Sequence, residues 1–233
     1  MPGLLLVCNE PGSAVSTEEF NDWYDHEHVP LFFQLQGFHS WSRWIAADGR
    51  CPAYCAIYDV SSTDILAQPA AVERANNRSE RDKAICASLS LLDVRMYELL
   101  EPNHTAKEDD AYDPAKPGPV MSIVEFEVKP EVSGAEGDMN RWYDEEHVLL
   151  LSKIPGWVRS RRFVLVNRTA MGPWAEDERQ LKYLVIHEWE SADVFERPDF
   201  KAAWETEWTK RVLENVVLHR HRRLTLMRAW DRK

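Results

Sequence analysis

A twelve-residue string occurs twice in this chain, and the repetition constrains the fold more than any other feature of the sequence. The string FNDWYDHEHVPL begins at Phe20, the string MNRWYDEEHVLL begins at Met139, and eight of the twelve positions are identical. The same alignment places Gly37 on Gly156, and the match resumes after a longer insertion in the second copy. Self-similarity at a fixed spacing is typical of a repeated structural unit.

The duplication predicts two homologous domains, residues 1–101 and residues 120–233, joined by a linker at residues 102–119 that holds four prolines and a cluster of acids. In each half the hydrophobic pattern predicts the order β-α-β-β-α-β, which is the ferredoxin-like plan. A single four-stranded sheet with helices on one face leaves its other face bare. We therefore expect an α+β fold in which the antiparallel sheets of two ferredoxin-like repeats pack as a pseudo-twofold dimeric α/β barrel.

The predicted strands cover residues 4–9, 39–46, 54–60 and 92–99, and in the second half residues 120–128, 158–166, 183–189 and 223–230. Ser16 and Glu19 have the spacing of a capping box, which predicts the start of a helix that ends before Gly37. Pro30 predicts a kink in this helix, whereas Leu149 at the matching position lets the second copy run on. A second helical region is predicted at residues 69–88 and 198–217.

Two segments of the second half are predicted to be irregular. The basic run at residues 218–224 is short and isolated in an acidic chain, so we expect a solvated turn. Residues 167–179 form a loop that is longer than its counterpart and contains Trp174, and this loop either closes over a pocket as a lid or lies on the surface.

Charge, apolar runs and cysteine content limit the partners and the cellular compartment that we expect for this chain. A formal net charge of −11 argues against nucleic acid and anionic membrane surfaces, since both require a basic footprint. No apolar run approaches the length of a membrane span, and the first residues lack the basic region of a signal peptide. The four cysteines suit free thiols in a reducing compartment better than a zinc site. These features predict a cytoplasmic protein that binds a small molecule.

Helical spacing places a tyrosine and a histidine of each string on one inward stripe. Tyr24 and His28 share it with Phe20, Leu31 and Leu35, and the second stripe holds Met139, Tyr143, His147, Leu150 and Ile154. An inward histidine has two interpretations, because imidazole titrates near neutral pH and also serves as a core residue bonded to one partner. Both interpretations stay open for His28 and His147, and Tyr24 and Tyr143 are candidates on the same grounds.

Further candidates occupy matching places in the two halves: Trp23 and Trp142, Arg43 and Arg162, Tyr58 and His187. An arginine at these positions has two interpretations. It can bind a carboxylate or enolate oxygen of a ligand through its guanidinium N–H groups, or it can form an ion pair with an acid at the surface. Tyr58 and His187 show the polar difference expected of a diverging pocket, or are strand-end residues at the rim of the barrel. A metal at His26 and His28 is disfavoured, because residues two apart on a helix point to different sides.

The repeated string resembles the EthD-like branch of the dimeric α/β-barrel superfamily, in a tandem-duplicated single-chain form. The matching positions are Phe20, Trp23, Tyr24, His28, Pro30, Leu31, Gly37 and Phe38, and in the second half Met139, Trp142, Tyr143, His147, Leu150, Pro155, Gly156 and Trp157. The resemblance covers nearly all of both halves outside the linker. It implies a pocket between helices and sheet that is lined by the histidine and tyrosines.

The expected function is therefore that of a cofactor-independent acid/base enzyme, namely a cyclase, isomerase or decarboxylase. Its expected substrate is an apolar aromatic or polyketide-like molecule of secondary metabolism. His28 or His147 would move the proton, Tyr24 or Tyr143 would hold an oxygen, and Arg43 or Arg162 would offset the charge. No motif predicts a metal or another cofactor. Two alternatives remain: a non-catalytic ligand-binding or stress-related protein, and a monooxygenase or haem-dependent member of the superfamily. We expect a monomer with an internal pseudo-dimer, or a further homodimer.

Overall fold

Eight antiparallel strands form one closed barrel in the computed structural model, which describes residues 2–100, 113, 116–176 and 181–230. The strands are β1 Gly3–Glu10, β2 Trp41–Ala46, β3 Tyr54–Val60, β4 Leu91–Leu99, β5 Val120–Val128, β6 Trp157–Met171, β7 Tyr183–Trp189 and β8 Val216–Trp230. Their order around the barrel is β1-β3-β2-β8-β5-β7-β6-β4. Closure leaves no free edge strand in the barrel. The expectation of an α+β fold with an antiparallel barrel is confirmed.

The strands of residues 3–99 and of residues 120–230 follow the same spatial order, β4-β1-β3-β2 and β8-β5-β7-β6. The two groups join edge to edge, through β2 with β8 and through β4 with β6. Alternate side chains fill the interior, where Leu6, Tyr97, Ile123 and Leu184 are fully buried. The opposite face of each group lies under its own helices and forms a separate core. Every strand group is therefore covered on both faces.

The first half carries α1 Thr17–Trp23, α2 Val29–Phe32, α3 Pro69–Asn76 and α4 Glu80–Ser88, and the second carries α5 Ala135–Trp142, α6 Val148–Leu151, α7 Pro198–Ala202 and α8 Glu207–Leu213. Two short 3₁₀ turns lie at Ile65–Ala67 and Ala192–Glu196. The predicted helix start is confirmed, because the Ser16 hydroxyl accepts from the backbone N–H of Glu19 at 3.1 Å. None of the helices in the described residues is long and apolar enough to cross a membrane.

A π-helical turn interrupts the first helix of each half. It covers Tyr24–His28 between α1 and α2, and Tyr143–His147 between α5 and α6. This turn does not depend on Pro30, since the second copy has the same turn with Leu149 at the matching position. The wider turn inserts one extra residue into the helical period. It therefore shifts the buried stripe by one position, and Phe32 and Leu151 are buried where Leu31 and Leu150 were expected.

The two segments predicted to be irregular are largely strand. The basic run at residues 218–224 lies within β8, where Arg222 is buried and its Nε donates to Asp48 at 2.8 Å, so the prediction of a solvated turn is wrong. Residues 167–171 extend β6 along β4. Trp174 follows this strand and is partly exposed, while residues 177–179 of the predicted loop lie outside the described residues. So does most of the predicted linker.

Candidate active site

The π-helical turns place a tryptophan, a tyrosine and a histidine of each string around one point. The N–H of Val29 reaches back five residues to the Tyr24 carbonyl, so residues five apart lie on the same side. The rings of Trp23 and His28 are consequently in contact, with centroids 4.6 Å apart, and Tyr24 lies 5.0 Å from the same imidazole. In the second half Trp142 stacks on the imidazole of His147 at 4.3 Å.

In the first half the imidazole is paired with a buried carboxylate. His28 Nδ1 lies 2.8 Å from Asp82 Oδ1, and the indole N–H of Trp23 donates to the same oxygen at 3.0 Å. Asp82 is fully buried in the first turn of α4, where its backbone N–H is capped by Ser79. A carboxylate accepts the Nδ1 proton of a neutral imidazole, which leaves the Nε2 lone pair available. Nε2 has no hydrogen-bond partner among the described residues.

Two arginines lie beside this pair. Arg78 is 3.6 Å from Asp82 Oδ2, and Arg74 contacts the His28 carbonyl at 3.4 Å with its guanidinium over the Phe32 ring. The side chain of His28 is 15% exposed, so solvent reaches the site. Burial lowers the pKa of His28 below its ordinary value, and the hydrogen bond to Asp82 partly offsets that effect. The imidazole is therefore predominantly neutral at neutral pH and able to accept a proton.

The second half presents its histidine differently. His147 is 0% exposed, and its Nδ1 lies 3.2 Å from the backbone carbonyl of Ala203. Its Nε2 is buried and has no hydrogen-bond partner in the described part of the chain, and the centroid of the Trp204 ring lies 4.4 Å from that of the imidazole. Burial lowers the pKa of His147 to about 3. This histidine stays neutral and enclosed, which suits a core residue better than a proton carrier.

The difference between the partners of the two histidines follows from one position in the second helical region of each half. Ser79 and Thr206 cap α4 and α8 in the same way, each accepting from the N–H three residues later. That later residue is Asp82 in the first half and Thr209 in the second, where the hydroxyl of Thr209 accepts from the indole N–H of Trp142 at 3.1 Å. The tryptophan contact is thus kept, while the carboxylate that would pair with the histidine is absent.

The predicted tyrosines and the third-strand residues are buried and bonded among themselves. The hydroxyls of Tyr24 and Tyr58 are 3.2 Å apart, and burial raises the pKa of both. In the second half His187 Nδ1 lies 2.7 Å from the Ser160 hydroxyl, and burial and the neighbouring His147 lower its pKa well below the ordinary value. Tyr58 and His187 are each 1% exposed, so they lie inside the protein and away from any rim.

The two predicted arginines tie helix to sheet. Arg43 pairs with Asp25, donates to Asn21 Oδ1 at 2.7 Å, and lies 4.3 Å from the centroid of the Tyr24 ring. Arg162 repeats the arrangement, with Asp144 at 2.8 Å, Asn140 Oδ1 at 3.2 Å and Tyr143 at 5.2 Å from the ring centroid. Both guanidinium groups are thus engaged by the helix that carries the string.

Sequence reasoning missed Asp82, Arg74 and Trp204. Asp82 stands three residues after a capping serine, a signal that marks the start of a helix and gives no indication that its carboxylate faces a histidine 54 positions earlier. Arg74 and Trp204 lie on poorly patterned segments of the second helical regions. Among the described residues, no group of three or more His, Cys, Asp or Glu side chains is arranged to hold a metal.

Two sizeable pockets lie in the second half. One of about 360 Å³ is formed between the α7–α8 segment and β8, with Trp204 and His221 among its lining residues. Another of about 330 Å³ is lined by residues of α6 and the α7–α8 segment, including Ile154 and Thr206. Beside Trp142, by contrast, the space between helix and sheet holds only about 10 Å³. The inward face of the second string is therefore filled by side chains.

Comparison with solved structures identifies the fold. An anthrone oxidase-like protein aligns with a TM-score of 0.65 at 14% identity, covering 99% of this chain and 93% of that chain. A putative monooxygenase from Lactobacillus acidophilus aligns with a TM-score of 0.57 at 12% identity, covering 99% of this chain and 96% of that chain. A chlorite dismutase variant from Candidatus Nitrospira defluvii, in complex with cyanide, aligns with a TM-score of 0.59 at 9% identity. This alignment covers 97% of this chain and 91% of that chain.

These neighbours belong to the dimeric α/β-barrel superfamily, and the chain has their fold. Their names describe oxidoreductases rather than lyases or isomerases. No family model and no curated protein matches the sequence.

A haem group would need a histidine ligand with open space beside its ring. A haem ligand typically has its second ring nitrogen bonded to a carboxylate or carbonyl, and His28 has such a partner. Three rings already surround that imidazole, however, with centroids between 4.6 and 5.3 Å away. His147 and His187 line neither of the two sizeable pockets. These histidines do not fit a porphyrin.

Proposed function

We propose that the chain is a cofactor-independent acid/base enzyme whose working site is the His28–Asp82 pair of the first half. The observation that carries the proposal is the contrast between the two copies of the string. His28 bonds to a buried carboxylate at 2.8 Å and keeps 15% of its side chain exposed, whereas His147 bonds to a backbone carbonyl and is fully enclosed. Of the two, His28 has the partner and the access that a general base requires.

The proposed reaction begins when Nε2 of His28 accepts a proton from an acidic C–H or O–H group of the substrate. Asp82 holds the imidazole by its Nδ1–H and stabilises the imidazolium that forms. The electron pair left on the substrate is delocalised as an enolate or phenolate. Arg74 offsets this charge, since no carboxylate of the described residues lies within 4 Å of its guanidinium. Return of the proton to another atom of the delocalised anion completes an isomerisation. In a cyclisation the enolate carbon attacks a carbonyl carbon of the same molecule, and the proton goes to the alkoxide that forms. In a decarboxylation the proton comes from a carboxylic acid, the C–C bond to that group breaks to release CO₂, and the proton is returned to the enolate carbon.

The roles of the other predicted residues follow from their partners. Tyr24 and Tyr58 bond to each other, and Arg43 is engaged by α1, so we assign them positioning roles. Trp23 shares the oxygen of Asp82 and fixes its orientation for the imidazole. The buried rings of Trp23, Tyr24 and Phe32 pack on the imidazole and make its surroundings apolar, so we expect an apolar aromatic substrate at the exposed part of His28.

An oxidative variant begins with the same proton transfer. The names of the structural neighbours include an oxidase-like protein and a monooxygenase. A carbanion of an aromatic carbon acid can react with dioxygen, and anthrone plus O₂ gives anthraquinone plus water in a balanced four-electron oxidation. The His28–Asp82 pair would supply the base for either outcome.

We also propose that the chain is a tandem duplication of an EthD-like unit. The repeated string, the shared strand order and the shared π-helical turn support this origin. The first half would keep the acid/base pair while the second half lost the carboxylate. Because the barrel closes within one chain, no second copy is needed to complete it.

The proposal is tested with anthrone as the probe, an aromatic carbon acid whose methylene protons exchange with D₂O. Wild-type protein should accelerate exchange measured by proton NMR, and His28→Ala should lose about 10²–10⁴-fold of that acceleration. Asp82→Asn should lose a smaller part of the acceleration of exchange. An oxygen electrode on the same samples separates the oxidative variant, which consumes O₂, from proton transfer alone.

A binding protein without turnover would give a different pattern. Ligand would then bind without exchange or oxygen uptake, and His28→Ala would alter stability alone. Exchange at the buffer rate in wild-type protein over a panel of aromatic carbon acids would refute the acid/base proposal.

A further inference from the structure

The pocket of about 360 Å³ in the second half combines aromatic walls with an arginine that has no acid partner among the described residues. Phe195, Phe200 and Trp204 supply the walls, and the guanidinium of Arg223 lies 4.3 Å from the centroid of the Phe195 ring. Pockets of this size that join apolar walls to a few polar groups are typical sites for small molecules. The pocket lies on β8 and the α7–α8 segment, apart from the His28–Asp82 pair.

Arg223 is the distinctive group in this pocket. Its side chain is half-buried, and no carboxylate of the described residues lies within 4 Å of its guanidinium, although the chain has an excess of acids. The preceding residue Arg222 differs, since its guanidinium is bound by Asp48. A half-buried arginine without an acid partner has donors free for an anion, and its planar fork matches a carboxylate.

Two other charged residues line the pocket, and neither of them forms an ion pair with Arg223. Lys201 lines it and is paired with Glu196 at 3.2 Å, outside the lining. Glu205 lines it as well, and its side chain is exposed to solvent, where its repulsion of an anion is screened. Arg223 is more buried, so its charge acts in a less polar environment.

We propose that this pocket binds a small aromatic carboxylate, with the ring between Phe200 and Trp204 and the carboxylate on Arg223. Such a ligand satisfies both features at once, because its ring removes apolar surface from water and its anion meets the unpaired cation. The site is separate from the proposed acid/base site. It would give the second half a binding role where His147 is enclosed.

Calorimetric titration with 2-naphthoate and with uncharged 2-naphthamide tests the proposal. Naphthoate should bind wild-type protein at least about tenfold more tightly than naphthamide, because one charge-assisted fork is worth a factor of that order. Arg223→Gln should weaken naphthoate binding by a similar factor and leave naphthamide unchanged. Arg197→Gln is the matched control, since the side chain of Arg197 is 41% exposed, is paired with Asp199 and lies outside the lining.

The outcomes are distinguishable. Equal affinity for the two ligands in wild-type protein, or no heat of binding with naphthoate, would overturn the proposal even if Arg223→Gln failed to fold. A loss of naphthoate binding in His28→Ala would place the ligand in the first half and overturn it as well. Retention of binding in His28→Ala, with loss in Arg223→Gln, is the expected result whether or not the chain catalyses proton transfer.

Discussion

Replacing His147 by phenylalanine should remove a large part of the acid sensitivity of this protein. The histidine is fully buried and neutral, with a pKa of about 3 in the folded chain, whereas an unfolded histidine titrates near pH 6.5. Between those values the unfolded state binds a proton that the folded state does not. Stability is therefore full above about pH 6.5 and falls progressively as the pH drops toward about 3. Phenylalanine keeps a ring against Trp142 and cannot titrate.

The magnitude follows from the two pKa values. Each pH unit of difference corresponds to about 1.4 kcal/mol, so lowering the pH from about 7 to about 5 should cost about 2 kcal/mol through His147 alone. His187 has a pKa lowered in the same direction and adds to the wild-type loss. The variant should retain the contribution of His187 and lose only that of His147.

Urea denaturation at a series of pH values measures this difference. The free energy of unfolding of wild-type protein should fall between about pH 7 and about pH 5 by about 2 kcal/mol more than that of His147→Phe. His39→Ala removes an exposed imidazole and should keep the wild-type dependence. Parallel curves for wild type and His147→Phe would refute the conclusion that His147 is a buried neutral residue.

Three further predictions concern the first half. Asp82→Ala should lower the free energy of unfolding by about 3–5 kcal/mol, because it leaves the buried donors of Trp23 and His28 unpaired. Thr209→Ala, which unpairs only the donor of Trp142, should lower it by only about 1–2 kcal/mol, and equal losses in denaturant melts would contradict this. Activity should rise with pH as His28 loses its proton, with a midpoint at the pKa of His28, which burial holds below the ordinary histidine value. In Asp82→Asn this midpoint should move to lower pH, because the carboxylate raises the pKa of His28, and an unmoved midpoint in a pH–rate profile would count against the pairing. Purified protein mixed with haemin should show no Soret band that depends on His28, and a band lost in His28→Ala would show that a porphyrin fits after all.

Much of the fold was accessible from the sequence because local patterning and global topology agree. The predicted strands at residues 54–60, 120–128 and 183–189 coincide with β3, β5 and β7. The duplication predicted the same order of elements in both halves. The start of β8 was misplaced because HRHRR is polar, and polarity favours a turn in a reading of sequence alone, whereas Arg222 within it is buried by its contacts with Asp48.

The candidate site was only partly accessible. The spacing of Tyr24 and His28 placed them on one inward stripe, and the structure brings their rings within 5.0 Å. The π-helical turn has no sequence signal comparable to a cap or a proline, so the contact of Trp23 with His28 was not foreseen. The partner Asp82 is distant in the chain, and only tertiary packing brings it to the imidazole.

The central claim is that the first copy of the repeated string works and the second is structural. Its most direct test compares His28→Asn with His147→Asn in the anthrone exchange assay, at neutral pH and with folding verified by circular dichroism. The account predicts that His28→Asn loses about 10²-fold or more of the acceleration. His147→Asn should keep the activity of its folded fraction. Full activity in His28→Asn together with a comparable loss in folded His147→Asn would contradict the account and assign the reaction to the second half.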